Sequence, residues 1–288
     1  MSAVPRNDPR RSRRRRLDSA GASTYVVATV AVAAICLPLA WMFAASLKSR
    51  SELYSVPVEL LPSDPQWSNY SKAWNAVPFA RFFLNSIVTT LLATLLKLLN
   101  GVLTAYALVF MEVRARRIVF LVVIAALMVP EQVVLIPNYV LVSDLDWLNT
   151  YQGLVVPNAA VALGTFLMRQ HFLTIPRSLV EAARLDGVGH LGLLWKVLLP
   201  ISRPSLAAFA VIAVVARWND YLWPLLVTNT DQMKTLPVGL TLLQDSEGQS
   251  EWGIVMAGSV MVVVPIILLF LRAQRHLVEG LTAGSVKG

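Results

Sequence analysis

Cysteine and charge are the two things this sequence has least of. Cys36 is the one cysteine among 288 residues, so no internal disulfide can form, and no CxxC or Cys/His cluster offers a zinc site. Charged residues make up only 15%, too few for the surface of a soluble domain of this size. Catalytic signatures are missing as well. There is no G-x-x-x-x-G-K-[ST] loop to cradle ATP phosphates, no G-x-S-x-G elbow and no H-E-x-x-H helix. The three histidines, His171, His190 and His276, are too scattered to share a metal. The chain reads as neither an ATPase nor a hydrolase, and it is expected to carry no cofactor of its own.

What is abundant is apolar sequence: 56% of residues are hydrophobic and the mean hydropathy is +0.60. A bilayer core needs about 20 mostly apolar residues per helix. Six segments qualify, at Tyr25–Leu47, Phe83–Phe110, Arg117–Leu141, Gly153–Phe172, Ser205–Thr228 and Ile254–Gln274. The fold class expected is an all-α membrane protein of six transmembrane helices. Its parts are a basic tail over 1–24, a six-helix domain over 25–274 and a second tail over 275–288. The first segment is long enough to span, so it is read as an uncleaved helix and not as a secretory signal.

Charge orients the bundle. With six spans, one side receives the Arg13–Arg16 cluster, Arg114, Arg116, Arg117, Arg169, Arg177, Arg184, Lys196, Arg203, Arg272, Arg275 and Lys287. The other side is mostly acidic, with Glu52, Glu59, Asp64, Asp144, Asp146, Asp231, Asp245, Glu247 and Glu251. The positive-inside rule then puts both termini in the cytoplasm of a multi-pass cell-membrane protein. The N-terminal arginines serve that orientation at the lipid surface; no nucleic-acid partner is expected. Two long external loops, about Lys48–Phe82 and Asn229–Gly253, carry Trp67, Trp74 and Trp252, which suit docking of a partner.

The cytoplasmic loop at about 175–204 carries the most information. Pro176 blocks continuation of the preceding helix. Ser178 and Glu181 have the spacing of a capping box. Gly187 and Gly189 permit a turn with positive φ. A second helix follows, with Leu191, Leu194, Trp195 and Leu198 on one face, ending at Pro200. Such a helix–turn–helix offers itself to a protein groove. Glu181 either serves this local cap, with Arg184 at i,i+3, or faces a partner.

Here the resemblance becomes specific. Glu181-Ala182-Ala183, then three residues, Gly187, nine residues, and Val197-x-Leu199-Pro200 resemble the EAA loop of bacterial ABC-importer permeases, with Val197 in place of the usual isoleucine. Trp218–Leu226 and the tail Gly280–Gly288 are similar to the carbohydrate-uptake branch, in particular the second permease of maltose-type importers. The resemblance implies that Glu181, Ala182, Ala183, Asp186, Gly187, Leu199 and Pro200 couple to an ATPase. It also implies the partners: a homologous second permease, two copies of an ABC ATPase that uses the ATP, and an extracytoplasmic solute-binding protein. About Asn229–Trp252 would reach toward that binding protein, and Gly280–Gly288 would contact the ATPase.

Ionisable groups inside spans must face the bundle interior or a wet cavity. Lys97, Glu131, Arg217 and Asp220 are such groups. Arg217 and Asp220 sit at i,i+3, and Lys97 and Glu131 are placed to pair between helices. Together they form either a structural network or, with Trp218, Asn219, Tyr221 and Trp223, part of a path for a hydroxylated solute. Pro130, Pro137 and Pro157 interrupt the third and fourth segments, as breaks facing a cavity or as kinks. The stretches Thr165–Phe172 and Glu247–Trp252 resemble the glycerol-phosphate permeases. The reading therefore leans to glycerol 3-phosphate or a glycerophosphodiester as cargo, with a neutral di- or oligosaccharide as the alternative. An ion-coupled secondary transporter would require paired half-repeats, and none is visible.

Overall fold

The computed structural model describes residues 21–160, 162–244 and 251–282, with side chains of 22–23 and 276–282 left out. The Arg13–Arg16 cluster, the segment 245–250, and tail residues 283–288 lie outside the described residues. All regular structure among those described is helical. The chain forms α1 (Gly21–Ser46), α2 (Arg50–Leu53), α3 (Ser68–Ala76), α4 (Phe79–Phe110), α5 (Arg116–Leu127), α6 (Glu131–Asp144) and α7 (Tyr151–Val155). Then come α8 (Ala162–Thr174), α9 (Arg177–Leu185), α10 (His190–Ile201), α11 (Arg203–Trp218), α12 (Leu222–Val227), α13 (Leu236–Thr241) and α14 (Trp252–Thr282).

Among the described residues three helices are each long and apolar enough to cross a membrane: Thr24–Ser46, Phe79–Phe110 and Trp252–Arg275. Counting each bent helix pair as one span raises the number to six. The third segment is broken between α5 and α6 by a bend of 97°. Pro130, extended at φ −61°, ψ 136°, stands at the start of α6 and keeps the helix from running through. Pro157 falls in a single 3-10 turn after α7. Pro137 corrects the expectation of a break, because α6 runs straight through it. The fifth segment was expected to run unbroken to Thr228; instead α11 stops at Trp218 and α12 starts at Leu222.

The centre is built on α4. At Gly101 its backbone lies so near α8 that a Cβ would stand 3.1 Å from the Gly164 carbonyl carbon. One core cluster joins Val102, Ala105 and Tyr106 of α4 to Met168 and Phe172 of α8, Phe209 and Ala213 of α11, and the inner residues of α9 and α10. The N-terminal half of α4 carries a polar stripe that ties down the loop after α12. Asn85 Nδ2 donates to the Gln232 and Lys234 carbonyls at 2.9 Å, and its Oδ1 accepts from Tyr151 Oη at 2.7 Å. Ser86 Oγ accepts from the Leu236 N–H at 2.8 Å. α1, by contrast, is exposed along most of its length.

Candidate coupling site and translocation path

The loop over α9 and α10 has two faces. Its inner face (Val180, Ala183, Leu193, Leu194 and Leu198) is buried in the α4–α8–α11 core. Its outer face is apolar too, yet covered by nothing described: Leu185 is 88% exposed, Leu191 72% and Trp195 57%. Burying such side chains is worth about 1.5–3 kcal/mol each, so an exposed row of them is an interaction surface in waiting.

Local geometry departs from the sequence expectation at several points and leaves Glu181 out of the local cap. The capping box at Ser178 does not form, because Pro176 is extended and α9 begins at Arg177, so Ser178 is already helical. Glu181 is exposed and has no hydrogen-bond or ion-pair partner among the described residues; Arg184 donates instead to the Phe110 carbonyl, 3.2 Å away. Only Gly187 takes the left-handed conformation, at φ +76° with nothing within 4 Å of a Cβ there; Gly189 sits at φ −69°. The second helix does not end at Pro200. A π-type turn over Leu193–Leu198 carries it on to Ile201, with the Leu199 N–H reaching back to the Leu194 carbonyl. That turn also splits the expected apolar face, sending Leu194 and Leu198 inward and Leu191 and Trp195 outward. Ala182 and Asp186 are exposed, Ala183 is buried, Leu199 is half-buried and Pro200 is exposed.

The other candidate residues meet at the break between α11 and α12. Arg217 is 6% exposed. Its guanidinium pairs with the Asp220 carboxylate, formed at i,i+3, and donates to the Leu154 carbonyl. Asp220 Oδ1 accepts from the Trp223 N–H at 3.4 Å, at the start of α12. Trp223 is buried, with Nε1 donating to the Gly153 carbonyl at 3.0 Å. Trp218 is buried on the other side, with Nε1 donating to the Val262 carbonyl at 3.0 Å. In the amide orientation that satisfies both of its ends, Asn158 accepts from Arg217 Nη1 and Trp223 Nε1 at 3.3 Å. This cluster lets the chain stop one helix and start another inside the bundle with its freed polar groups satisfied.

Asn219 and Tyr221, between those anchors, turn the other way. They line an open cavity of about 480 Å³ with Pro237, Leu240, Thr241, Ser259, Val262 and Val263. Thr241 and Ser259 donate their hydroxyl protons to helix carbonyls at 2.7 and 2.9 Å, and Asn219 Nδ2 donates to Val215 at 2.9 Å. Their oxygens are thereby left as acceptors. Lys97 is half-buried and Glu131 exposed. They feel each other and the Arg217–Asp220 pair electrostatically, but no ion pair joins them: the pairs among the described residues are Lys72–Glu251, Arg217–Asp220 and Lys234–Asp231. The expected interhelical Lys97–Glu131 bridge is absent: Glu131 is the first residue of α6, exposed beside the bend at Pro130. Sequence reasoning missed Asn158, Thr241 and Ser259. An asparagine at 158 within an apolar run was a visible signal; the two hydroxyls carried none.

A bundle of long apolar helices with an exposed, glycine-hinged loop has the build of a transport permease. The family described as binding-protein-dependent transport system inner membrane component matches residues 97–282, and the chain belongs to it. It is thus the inner-membrane permease subunit of an ABC importer. Similar curated proteins include the sn-glycerol-3-phosphate transport system permease protein UgpE of Yersinia pestis bv. Antiqua (strain Antiqua), 34% identical over 89% of this chain and 94% of that one. The protein of the same name from Brucella suis biovar 1 (strain 1330) is 35% identical over 89% and 94%. Among solved structures, a chain of a bacterial ABC transporter involved in the import of the acidic polysaccharide alginate superposes with a TM-score of 0.80 at 26% identity, covering 96% of this chain and 99% of that chain. A chain of the bacterial alginate ABC transporter in complex with alginate pentasaccharide-bound periplasmic protein, at 14% identity and a TM-score of 0.64, shares the fold.

Proposed function

We propose that the chain imports an anionic carbohydrate-type solute, sn-glycerol 3-phosphate or a glycerophosphodiester, as one half of a permease pair. The observation that carries the cargo is the name shared by relatives 34–35% identical over nearly nine-tenths of the chain; the alginate importer, whose cargo is likewise acidic, supports an anion. The partners are a homologous second permease, two ABC ATPases and a solute-binding protein outside. Both termini are cytoplasmic, on the side of the arginine-rich loops.

The ATPase seats on the outer face of α9–α10. Leu185, Leu191 and Trp195 supply the apolar contact, Glu181 the free acceptor, and Gly187 the bend. Asn219 and Tyr221 form part of the path, where acceptor oxygens meet the hydroxyls of the cargo. Arg217 and Asp220 hold the break open; since Arg217 is committed to Asp220 and the Leu154 carbonyl, the anionic charge falls to Lys97, a half-buried cation with no hydrogen bond or ion pair among the described residues. Six spans over 25–274, with short tails outside them, complete the domain.

The test is the ATPase rate of the reconstituted complex with its binding protein across a panel of solutes. Stimulation by glycerol 3-phosphate or glycerophosphodiesters, with none by disaccharides, is expected. Stimulation by a neutral sugar alone overturns the cargo.

A further inference from the structure

Beside its apolar packing, the proposed coupling loop is tied to the end of α4 by polar contacts on either side of its hinge. On the near side, Arg184 Nη2 donates to the Phe110 carbonyl at 3.2 Å. That carbonyl is among the last four of α4 and has no intrahelical partner, so the guanidinium caps the helix with charge of the favourable sign. On the far side, Tyr106 Oη lies 2.8 Å from His190 Nδ1 and 3.2 Å from the His190 carbonyl. The two rings meet edge to face at 6.1 Å. Tyr106 itself is 5% exposed and packs against Phe110, which in turn meets Phe172 of α8 at a tilt, ring centroids 5.6 Å apart. Between the ties, Leu185, Asp186 and Gly187 are exposed, with Gly187 in open space, and Val188 turns back onto the core.

The geometry points to Tyr106, His190 and Arg184 as positioning residues that pass the motion of the coupling loop directly to α4. The physical reason is the asymmetry of the contacts. A force on Leu185 or Leu191 meets only the apolar contact of Val188 at the hinge, which carries no directional bond to α4, and is delivered at the two polar ties. Hydrogen bonds are directional, so they transmit a rotation that the smooth apolar contacts of Val180 or Leu198 would let slide. α4 is the helix to receive it, because it runs the whole depth of the bundle and reaches the external loop through Asn85 and Ser86. The inference rests on the ATPase-coupling reading above.

The test follows α4 itself. In a Cys36→Ser background, spin labels at Leu103→Cys on α4 and Leu268→Cys on α14, both exposed, report their separation in the reconstituted complex. It is measured without nucleotide and after trapping with ATP and vanadate. The separation is expected to change on trapping in the parent protein. Tyr106→Phe and His190→Ala are expected to abolish the change equally and non-additively, at an unchanged melting temperature. His190→Asn, which keeps a donor and an acceptor near Nδ1, restores it. A parent complex that binds its ATPase yet shows no change overturns the coupling reading. A parent that moves while both variants move as far, or variants that lose the change only by melting earlier, overturns the latch.

Discussion

Two regions hold the unusual chemistry, and they are opposites. At the α11–α12 break, charge is buried and every strong donor is answered: Arg217 by Asp220 and Leu154, Trp223 by Gly153, Trp218 by Val262. At the coupling loop, apolar side chains are exposed and a carboxylate stands free: Leu185, Leu191, Trp195 and Glu181. A buried charge held by its own counter-charge and a backbone carbonyl is tied into the architecture. An apolar row that nothing covers is incomplete without a partner. On the proposed reading, the most conspicuous residue in the sequence, an arginine in a span, is a structural one. The working surface proposed for the ATPase is made of ordinary leucines and a tryptophan.

The contrast breaks most visibly at Arg217. Arg217→Ala strips Asp220 of its counter-charge inside the bundle, a change that costs about 3–5 kcal/mol. The purified complex should melt markedly earlier; an unchanged melt would return Arg217 to the list of free ligands. At the loop the reverse holds. Gly187→Pro forces φ from +76° to about −65°, so transport and ATP coupling should vanish while membrane insertion and complex yield stay at parental levels. Uptake at the parental rate would remove the hinge from the account.

A smaller effect is expected outside the membrane. Glu52 Oε2 accepts from the Ser49 N–H and Oε1 from the Ser63 N–H, both at 2.8 Å. Those backbone bonds, Ser49 first, and then the Ser49 hydroxyl hold its carboxyl down at about 2 from an ordinary 4.5. A depressed carboxylate adds stability that is present above its unfolded pKa and lost as pH falls through the folded one. Order in the loop over 49–63 should therefore weaken only between about pH 4.5 and 2. Glu52→Gln should give the same loosening at neutral pH, read as faster amide exchange at Ser49 and Ser63. Equal exchange in the two proteins would dismiss the cap.

Much of this was legible in the residues. The six apolar segments and the EAA-like loop are composition and spacing, and the bend at Pro130 is local sterics. What escaped depends on the rest of the molecule. Ser49–Glu52 and Ser178–Glu181 share one spacing, but only Ser49 is extended and only its box closes; at the second, Pro176 starts the helix a residue too early. The stop at Trp218 is set by a carbonyl on Leu154 and an amide on Asn158, and no local pattern announces those. Lys97 and Glu131 looked like partners because both are charged and near mid-segment; the bend after Met128 turns Glu131 outward.

The central claim is that a separate ATPase sits on the outer face of this loop. A photo-crosslinker attached at Leu191→Cys in the Cys36→Ser protein, reconstituted with purified partners, tests it directly. The account predicts a covalent product with the ATPase that is lost when the label is moved to inward-facing Leu194→Cys. Labelling of the second permease or lipid alone from Leu191, with an ATPase bound and active in the same complex, would contradict it.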